Sequence, residues 1–499
     1  MTTAPVSKEA TGEGRPKRRR GGGVCLRLVD WLRIRQLRDD GPFTSTRQAE
    51  CLNPARVAAA GPVTGPPTHV SLTTDQPGFH SLHGQYSNGI IQAPNACVLG
   101  AYGSGKSAWV KCSYVLKPVA TGARVLVFDK KRQHQDGADS GEYGRAVEIL
   151  GGVKIPLDRR PGLGAVINIL DPAIVAVGAE DSMVGQDELL SMAAEVACGG
   201  RLVDTADSAP AHALRVAHEA ARRRAAAERR VAVLQDVIDA LFSPDPEGVP
   251  GPVDADGRKT LAVQGVVTVE TLIRWGLPVA LGLQRFISGG DMSGLIDGET
   301  RGPGDTELDL SDPLLVFDTS AMSDSSPALG MMMALIGAFV QARWTLVPGP
   351  KILILEEAYN VDRLAGVASV LRALAKRGRA SGTAVVTVLH HLSDLQEGSD
   401  LWTLIRETDV VHLFLQDKTD DAEQCVAMFG LDSSLLETLT SLHQGTHLLK
   451  VGRRPLEVVQ QPRTALEEWI TDTDAGMLAA PEAAPRFAVT EQEALDAAV

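Results

Sequence analysis

The sequence has no long apolar run that could serve as a membrane anchor. Among its 499 residues, no window approaches the roughly 18 consecutive apolar residues of a membrane-spanning helix. The first residues are basic and polar, and no apolar stretch follows the charges, so we expect no secretory signal. Any association with a membrane is therefore expected to come through a partner, at the inner face of the cell membrane.

The sequence also lacks paired cysteines and an excess of positive charge. Its six cysteines include no CxxC pair and no group with histidines at metal-binding spacing, which is typical of reduced thiols in a cytoplasmic protein. The formal net charge of -13 argues against a passive nucleic-acid coat protein. A negative net charge is still compatible with a locally basic channel, because the total charge of a chain does not determine the charge within one groove.

Composition divides the chain into regions of different character. The run Lys17–Arg20 lies in a polar, charged beginning, which is interpreted either as a solvated tail or as a tether to nucleic acid or an anionic surface. A long helix is expected over Ala211–Val233. The predicted regions are a disordered basic tail (1–23), a short amino-terminal region and linker (24–94), a core in two parts (95–173 and 300–461), an α-helical insertion (174–299) and an acidic tail (462–499).

Short apolar runs that end in a polar residue recur through the core. Such runs are typical of parallel strands buried on both faces, whose functional residues lie at the carboxyl ends. The sequence therefore predicts an α/β fold with a mainly parallel sheet. The predicted strands are Ala96–Leu99, Arg124–Phe128, Leu314–Phe317, Lys351–Leu355, Ala384–Leu389 and Val410–Leu415.

The segment Gly100–Ser107 fits the phosphate-binding pattern G-x-x-x-x-G-K-[ST] and lies between a strand and a helix. The backbone N–H groups of such a loop point at phosphate oxygens, and the helix that follows favours the same anion. Lys106 is expected to reach the β- and γ-phosphates of ATP, and Ser107 to ligate Mg²⁺. The alternative is a plain glycine-rich turn. The predicted phosphate-binding residues are Gly100, Gly103, Ser104, Gly105, Lys106, Ser107 and Ala108.

Two acidic residues follow the predicted strand Lys351–Leu355. In this pattern the first, Glu356, holds Mg²⁺, and the second, Glu357, polarises the attacking water as general base. Asp is usual at the first position, so Glu356 is a departure. Alone, such a string is often an ordinary strand end, but together with the P-loop it favours nucleotide hydrolysis.

Three cations, Lys376, Arg377 and Arg379, cluster at the end of a predicted helix. The helix dipole explains one or two of them. Three are more than the dipole needs, and in ring ATPases such a cluster often supplies an arginine finger to the neighbouring subunit, here Arg377 or Arg379, or touches DNA. After the next strand comes His390, which is either a sensor of the γ-phosphate or a structural histidine.

A further acid, Asp129, ends the strand that follows the P-loop helix. We expect it behind the magnesium ligands, without direct contact to the ion. The nearby Glu142 and Tyr143 are interpreted equally well as part of the site or as a plain loop.

These motifs, in this order, resemble conjugative type IV secretion ATPases of the TraC/VirB type and, more widely, the HerA/FtsK branch of ring-forming DNA motors. The resemblance covers about Asn95–Gln461. It is carried by the P-loop, Gly141–Tyr143, Ile149–Gly152, Ile167–Pro172, Leu355–Tyr359, Lys376–Arg379, Leu392–Asp394, Met428–Leu431 and Leu442–Gly445.

The resemblance implies a RecA-like core with a helical insertion and an ATP-driven motor that powers substrate translocation or channel assembly. It further implies a homo-hexameric ring, with the secretion channel or coupling proteins as partners and DNA as a further candidate.

The sequence departs from that family at Glu356, at His390 (where the family has Gln), in the longer loop between Asp129 and Glu142, and in a shortened amino-terminal region. Two alternative functions are a HerA-like DNA translocase outside conjugation, which shares the motor chemistry, and a nucleotide-binding scaffold with weak hydrolysis, which the changes at Glu356 and His390 would explain.

Overall fold

The computed structural model describes eleven segments of the chain. The predicted basic tail (1–23), the first part of the 24–94 region and most of the acidic tail lie outside them, as do parts of the predicted insertion. The described segments are residues 62–130, 134–135, 138–139, 141–174, 185–199, 209–245, 268–290, 292–323, 326–344, 347–358 and 365–472.

Eleven strands of the described residues form one sheet, in the order β2-β1-β13-β12-β11-β3-β10-β9-β4-β8-β7. A two-stranded hairpin of β5 and β6 lies apart from it. The bounds are β1 (Pro67–Ser71), β2 (Pro77–Phe79), β3 (Ala96–Leu99), β4 (Arg124–Asp129), β5 (His134–Gln135), β6 (Ala138–Asp139), β7 (Val153–Pro156), β8 (Leu314–Asp318), β9 (Lys351–Leu355), β10 (Thr383–Leu389), β11 (Val410–Leu413), β12 (Thr446–Val451) and β13 (Glu457–Gln460).

The seven strands from β11 to β7 run parallel, which confirms the predicted mainly parallel sheet. Both of its faces are covered, so every residue of β3 and β9 is buried, as their uninterrupted apolar runs predicted. β11 ends two residues earlier than predicted. Beyond it, the chain pairs with the start of the P-loop: Phe414 donates to the Leu99 carbonyl, and Ala101 donates to the Leu415 carbonyl, each at 2.8 Å.

Four antiparallel strands, which the sequence analysis did not single out, extend the sheet beyond β11. β12 pairs with β11, β13 with β12, and β1 with β13 through Val70 opposite Gln460. β1 and β2 come from the 24–94 region, so part of that region is built into the same sheet as the P-loop strand.

Fourteen α-helices occur in the described residues, and none of them is long and apolar enough to cross a bilayer. Four of them, α5–α8, lie within the predicted helical insertion. The bounds are α1 (Leu82–Ser87), α2 (Lys106–Val110), α3 (Lys117–Ala120), α4 (Gly144–Leu150), α5 (Gln186–Cys198), α6 (Ala209–Ala227), α7 (Leu234–Phe242), α8 (Val269–Ile287), α9 (Pro327–Trp344), α10 (Ala365–Ser381), α11 (Asp400–Arg406), α12 (Thr419–Phe429), α13 (Leu435–Ser441) and α14 (Ala465–Thr471).

Two helices differ from the sequence prediction. The helix α6 ends at Ala227 and does not continue to Val233, because Arg229 takes a left-handed conformation (φ 59°) that turns the chain towards α7. The helix after the P-loop is interrupted: α2 passes into a π-helical segment, Lys111–Leu116, and then into α3. A π-helical turn rotates the side chains that follow it, and such turns are frequent at functional sites.

A group of buried histidines lies on the sheet face that carries α2, and we call His69, His80, His412 and His447 the histidine cluster. Tyr114 of the π-helical segment joins two of them: its hydroxyl lies 2.9 Å from His80 Nε2 and 2.6 Å from His412 Nε2. His412 Nδ1 lies 3.0 Å from His447 Nε2. Burial lowers the pKa of His69 to about 4 and of His80 to about 3, and places the pKa values of His412 and His447 well below the ordinary 6.5.

The histidine cluster should make the protein acid-labile. Each of its members is neutral in the folded chain but regains a pKa near 6.5 on unfolding, so the unfolded chain binds more protons below pH 6.5. The free energy of unfolding then falls as the pH drops below about 6.5. Each histidine contributes a loss of up to roughly 1.4 kcal/mol for every pH unit. Thermal melting between pH 7.5 and 5 measures this loss.

A matched pair of variants locates the effect. His69→Gln should flatten the loss of melting temperature on acidification, whereas His443→Gln, at an exposed histidine, should leave it unchanged. A melting temperature that is constant between pH 7.5 and 5 would contradict the prediction.

Candidate nucleotide site

The glycines of the predicted P-loop adopt conformations that other residues avoid. Gly100, Gly103 and Gly105 have φ angles of 153°, 73° and 103°. Space is also restricted: a Cβ on Gly100 would lie 2.6 Å from Cβ of Phe414, and one on Gly105 would lie 3.0 Å from the nitrogen of Gly445. The loop therefore needs glycine for both its curl and its close packing.

The carboxyl end of the sheet holds this loop in place. The Gly445 N–H, just before β12, donates to the Ser104 carbonyl at 3.0 Å. The Ser104 hydroxyl donates to the Ala101 carbonyl at 2.7 Å. The loop is therefore held both by a residue outside it, Gly445, and by a hydrogen bond between two of its own residues. Helix α2 begins directly at the end of the loop with Lys106.

Lys106 is almost completely buried, with 4% of its surface exposed. Its ammonium group donates to the carbonyls of Gly100 and Ala101, to the latter at 2.8 Å, and to His390 Nδ1 at 3.1 Å. Because these acceptors are uncharged, phosphate oxygens would be stronger partners for the same group. The arrangement suits an anion bound at the mouth of the loop.

His390, at the end of β10, bridges the lysine and the predicted general base. Since an ammonium group only donates, Nδ1 of His390 must accept from Lys106, and the neutral ring then carries its proton on Nε2. That N–H faces Oε1 of Glu357 at 3.3 Å. The ring of Tyr102, within the P-loop, stacks on the imidazole with 3.6 Å between centroids.

Glu357 follows β9 with a φ of 52°, a left-handed conformation that is costly for glutamate. The next residue is fixed, since the Ala358 N–H donates to the Val388 carbonyl of β10 at 3.3 Å. The strained backbone turns the chain at the strand end, where the Glu357 side chain meets His390. Strain of this kind is found mainly where function requires it.

The first acid of the pair, Glu356, is buried and accepts a hydrogen bond from the hydroxyl of Tyr143. The backbone N–H of Tyr143 in turn donates to Oδ2 of Asp129 at 3.2 Å. Burial raises the pKa of Tyr143 well above its ordinary value, so the phenol remains a donor. The Glu142–Tyr143 segment thus contacts the acids of the site, although its sequence was equally compatible with a plain loop.

A buried lysine that the sequence motifs did not indicate completes the arrangement. Lys111 is fully buried in the π-helical segment and lies 3.2 Å from Oε1 of Glu142 and 5.3 Å from the centre of the Tyr143 ring. Its signal in the sequence is a charged residue within the apolar stretch that follows Lys106. Burial, and next the charge of Glu142, raises the pKa of Asp129 to about 6.

These groups fit a magnesium nucleotide. The N–H groups of the curled loop and the buried ammonium group are donors for phosphate, and the half-buried Ser107 at the start of α2 offers a hydroxyl. Glu356 supplies a carboxylate, and magnesium prefers such oxygen ligands. Asp129 lies one contact further back, through Tyr143. The Glu356 side chain is one methylene group longer than the Asp usual at this position, and the Tyr143 hydroxyl holds its carboxylate in place.

Helix α10 carries Arg377 and Arg379 near its end, and Lys376 is exposed. The side chains of the two arginines lie outside the described part of the chain. Their role towards a neighbouring subunit stays a prediction.

The fold is shared with a known protein. VirB4 of Thermoanaerobacter pseudethanolicus superposes with a TM-score of 0.58 over 82% of this chain and 100% of that one, at 18% sequence identity. The plasmid coupling protein TrwB, in complex with ADP and Mg²⁺, covers 82% of this chain and 91% of its own at 14% identity, with a TM-score of 0.48. No protein-family profile and no curated protein sequence matches the chain.

Proposed function

We propose that the protein hydrolyses ATP with Mg²⁺ and works as a motor of conjugative DNA transfer or type IV secretion, powering substrate translocation or channel assembly. The fold shared with VirB4 supports the predicted RecA-like P-loop architecture on which the proposal builds. The observation that carries the proposal is the bridge from Lys106 through His390 to Glu357, because it links a phosphate-binding cation to a general base.

Each residue of the site has a distinct role in the proposed reaction. Lys106 exchanges the carbonyls of Gly100 and Ala101 for phosphate oxygens, and the loop amides from Gly100 to Ala108 hold the remaining charge. Ser107 and Glu356 would hold Mg²⁺, which supplies charge neutralisation of the phosphates when bound. Glu357 orients the attacking water and accepts its proton.

The hydrogen bonds of His390 are proposed to change when phosphate binds to Lys106. When Lys106 turns towards a phosphate, Nδ1 of His390 loses its donor, and the hydrogen bond from Nε2 to Glu357 is free to change with it. His390 is therefore proposed as a positioning residue that couples the phosphate-binding lysine to the general base. Conjugative type IV secretion ATPases, which the sequence resembles, have Gln at this strand end.

The proposed motor works as a ring of identical subunits. A homo-hexameric ring would bring Arg377 or Arg379 to the site of a neighbouring subunit and supply charge to the transition state. The channel or coupling proteins, and DNA, are the proposed partners, and the proposed location is cytoplasmic, with peripheral attachment at the membrane. The support is the sequence resemblance together with the shared VirB4 fold.

The test is ATP turnover by the purified protein with and without magnesium. We expect hydrolysis with Mg²⁺, its loss on removal of the ion with a chelator, and its return on adding Mg²⁺ back. Light scattering with and without nucleotide measures ring formation in the same samples.

Other outcomes separate the alternatives. A tight ATP complex without turnover, in an assembled ring, would contradict the motor and support a scaffold. Two features favour the scaffold: Tyr143 donates a hydrogen bond to Glu356, and His390 Nε2 holds Glu357. Stimulation by double-stranded DNA would favour a DNA translocase, and neighbouring relaxase and channel genes would favour conjugation.

A further inference from the structure

A second group of potential metal ligands lies beside the nucleotide site, at the same edge of the sheet. His391 directly follows His390 after β10, Asp417 follows the end of β11, and Asp421 lies in the first turn of α12. One ligand atom from each of the three lies within 4.8 Å of the others.

The buried part of this group is not satisfied by hydrogen bonds. The Asp421 side chain is 5% exposed, and its Oδ2 lies 3.0 Å from Nδ1 of His391. Both atoms are buried and form an ion pair when the imidazole is protonated, but within the described part of the chain neither has a hydrogen-bond partner of acceptable geometry. A buried carboxylate oxygen without a hydrogen-bond donor is unfavourable, and a bound cation would satisfy it.

The other carboxylate oxygen of Asp421 is held in place. Oδ1 accepts from the hydroxyl of Ser393 at 3.3 Å, in the short 3₁₀ turn after His391. A partner of this kind fixes the orientation of a ligating carboxylate and is characteristic of metal sites. It leaves Oδ2 directed at His391, while the exposed Asp417 closes the group from the solvent side.

We propose that His391, Asp417 and Asp421 bind a divalent transition-metal ion such as Zn²⁺ or Mn²⁺. Imidazole disfavours Mg²⁺ and Ca²⁺, and two carboxylates disfavour soft ions such as Cu⁺, so the mixed ligand set selects this class. Around an ion bound at about 2.1 Å, ligand atoms lie about 3–4 Å apart, and the three ligand atoms of this group lie within 4.8 Å of one another. Water completes the coordination.

The ion joins two segments that the backbone leaves separate. It ties the turn after β10, which also carries His390, to the start of α12 beyond β11. Because His391 is the neighbour of His390, occupancy of this site restrains the strand end that faces Lys106 and Glu357. The metal site stands on its own geometry and does not depend on ATP hydrolysis.

The experiment uses the full-length protein, stripped with a chelator, without nucleotide, and titrated with Zn²⁺ alone in competition with a chromophoric chelator. We expect one equivalent of Zn²⁺, Mn²⁺ binding detectable by electron paramagnetic resonance, and a higher melting temperature with the ion bound. Mg²⁺ in excess should not displace Zn²⁺. The Glu356→Gln protein should bind the same equivalent, since its altered residue belongs to the nucleotide site.

Asp417→Asn is the decisive variant because Asp417 is exposed and its loss should not affect folding. The affinity of this variant for Zn²⁺ should fall at least tenfold, while Asp420→Asn, at an exposed position in the first turn of α12, should bind as the wild type does. The His391→Gln and Asp421→Asn proteins should no longer bind the one equivalent of Zn²⁺. Absence of Zn²⁺ binding at micromolar concentration, or equal binding by the Asp417→Asn and wild-type proteins, would overturn the proposal and leave a simple histidine–aspartate contact.

Discussion

Glu357→Gln should lower ATP turnover by about 10²–10⁴-fold while the protein still binds ATP, because an amide cannot accept the proton of the attacking water. The substitution keeps the size of the side chain and an oxygen that can face His390 Nε2, now 3.3 Å from Oε1 of Glu357. The loss should therefore appear in kcat, with little change in nucleotide affinity. Steady-state phosphate release and a nucleotide-binding titration measure the two quantities separately.

The matched control is Glu148→Gln, at an exposed position of α4, which should retain wild-type turnover. Melting curves of both variants establish that they are folded. Turnover of the Glu357→Gln protein within threefold of the wild type would remove Glu357 from the reaction. In that case the bridge from Lys106 through His390 would lack the catalytic end that the proposed function assigns to it.

Some parts of the site follow from the sequence because they depend on neighbours along the chain. The P-loop needs glycine at fixed positions to reach its φ angles, and an apolar run that ends in two acids predicts β9 with Glu356 and Glu357. In both segments the residues that act together lie within a few positions of one another. Local patterns of this kind are visible without knowledge of the fold.

Other parts depend on pairs that are distant in the sequence. Tyr143 reaches Glu356 across more than two hundred residues, and only the order of strands β4 and β9 brings them together. The histidine cluster has the same origin, since two of its members come from the region before the P-loop and two from β11 and β12. No periodicity of the sequence encodes such contacts.

The antiparallel edge could not be predicted for a related reason. Its strands are short and partly exposed, so β1, β2 and β13 carry no uninterrupted apolar run of the kind that marks β3 and β9. Lys111 was missed because a buried lysine becomes significant only when its partner is known. Glu142, an apparent loop residue, is that partner.

Lys106→Ala should lower both ATP affinity and turnover. The buried ammonium group donates to the Gly100 and Ala101 carbonyls and is the proposed charged donor to phosphate, and alanine leaves the loop amides without it. Removal of one such donor costs about 10²–10³-fold in turnover at comparable sites. Affinity should fall at least tenfold, because the lysine contacts phosphate before and during the reaction.

Comparison of the two variants separates binding from chemistry. ATP should raise the melting temperature of the Glu357→Gln protein, which binds but does not hydrolyse, and should hardly affect that of Lys106→Ala, since stabilisation by a ligand follows its affinity. Arg406→Ala, which removes an exposed cation outside the site, is the control and should behave as the wild type does. If Lys106→Ala were stabilised by ATP as much as the wild type, Gly100–Ser107 would not be the phosphate-binding loop. The assignment of the site, and with it the proposed motor, would then be wrong.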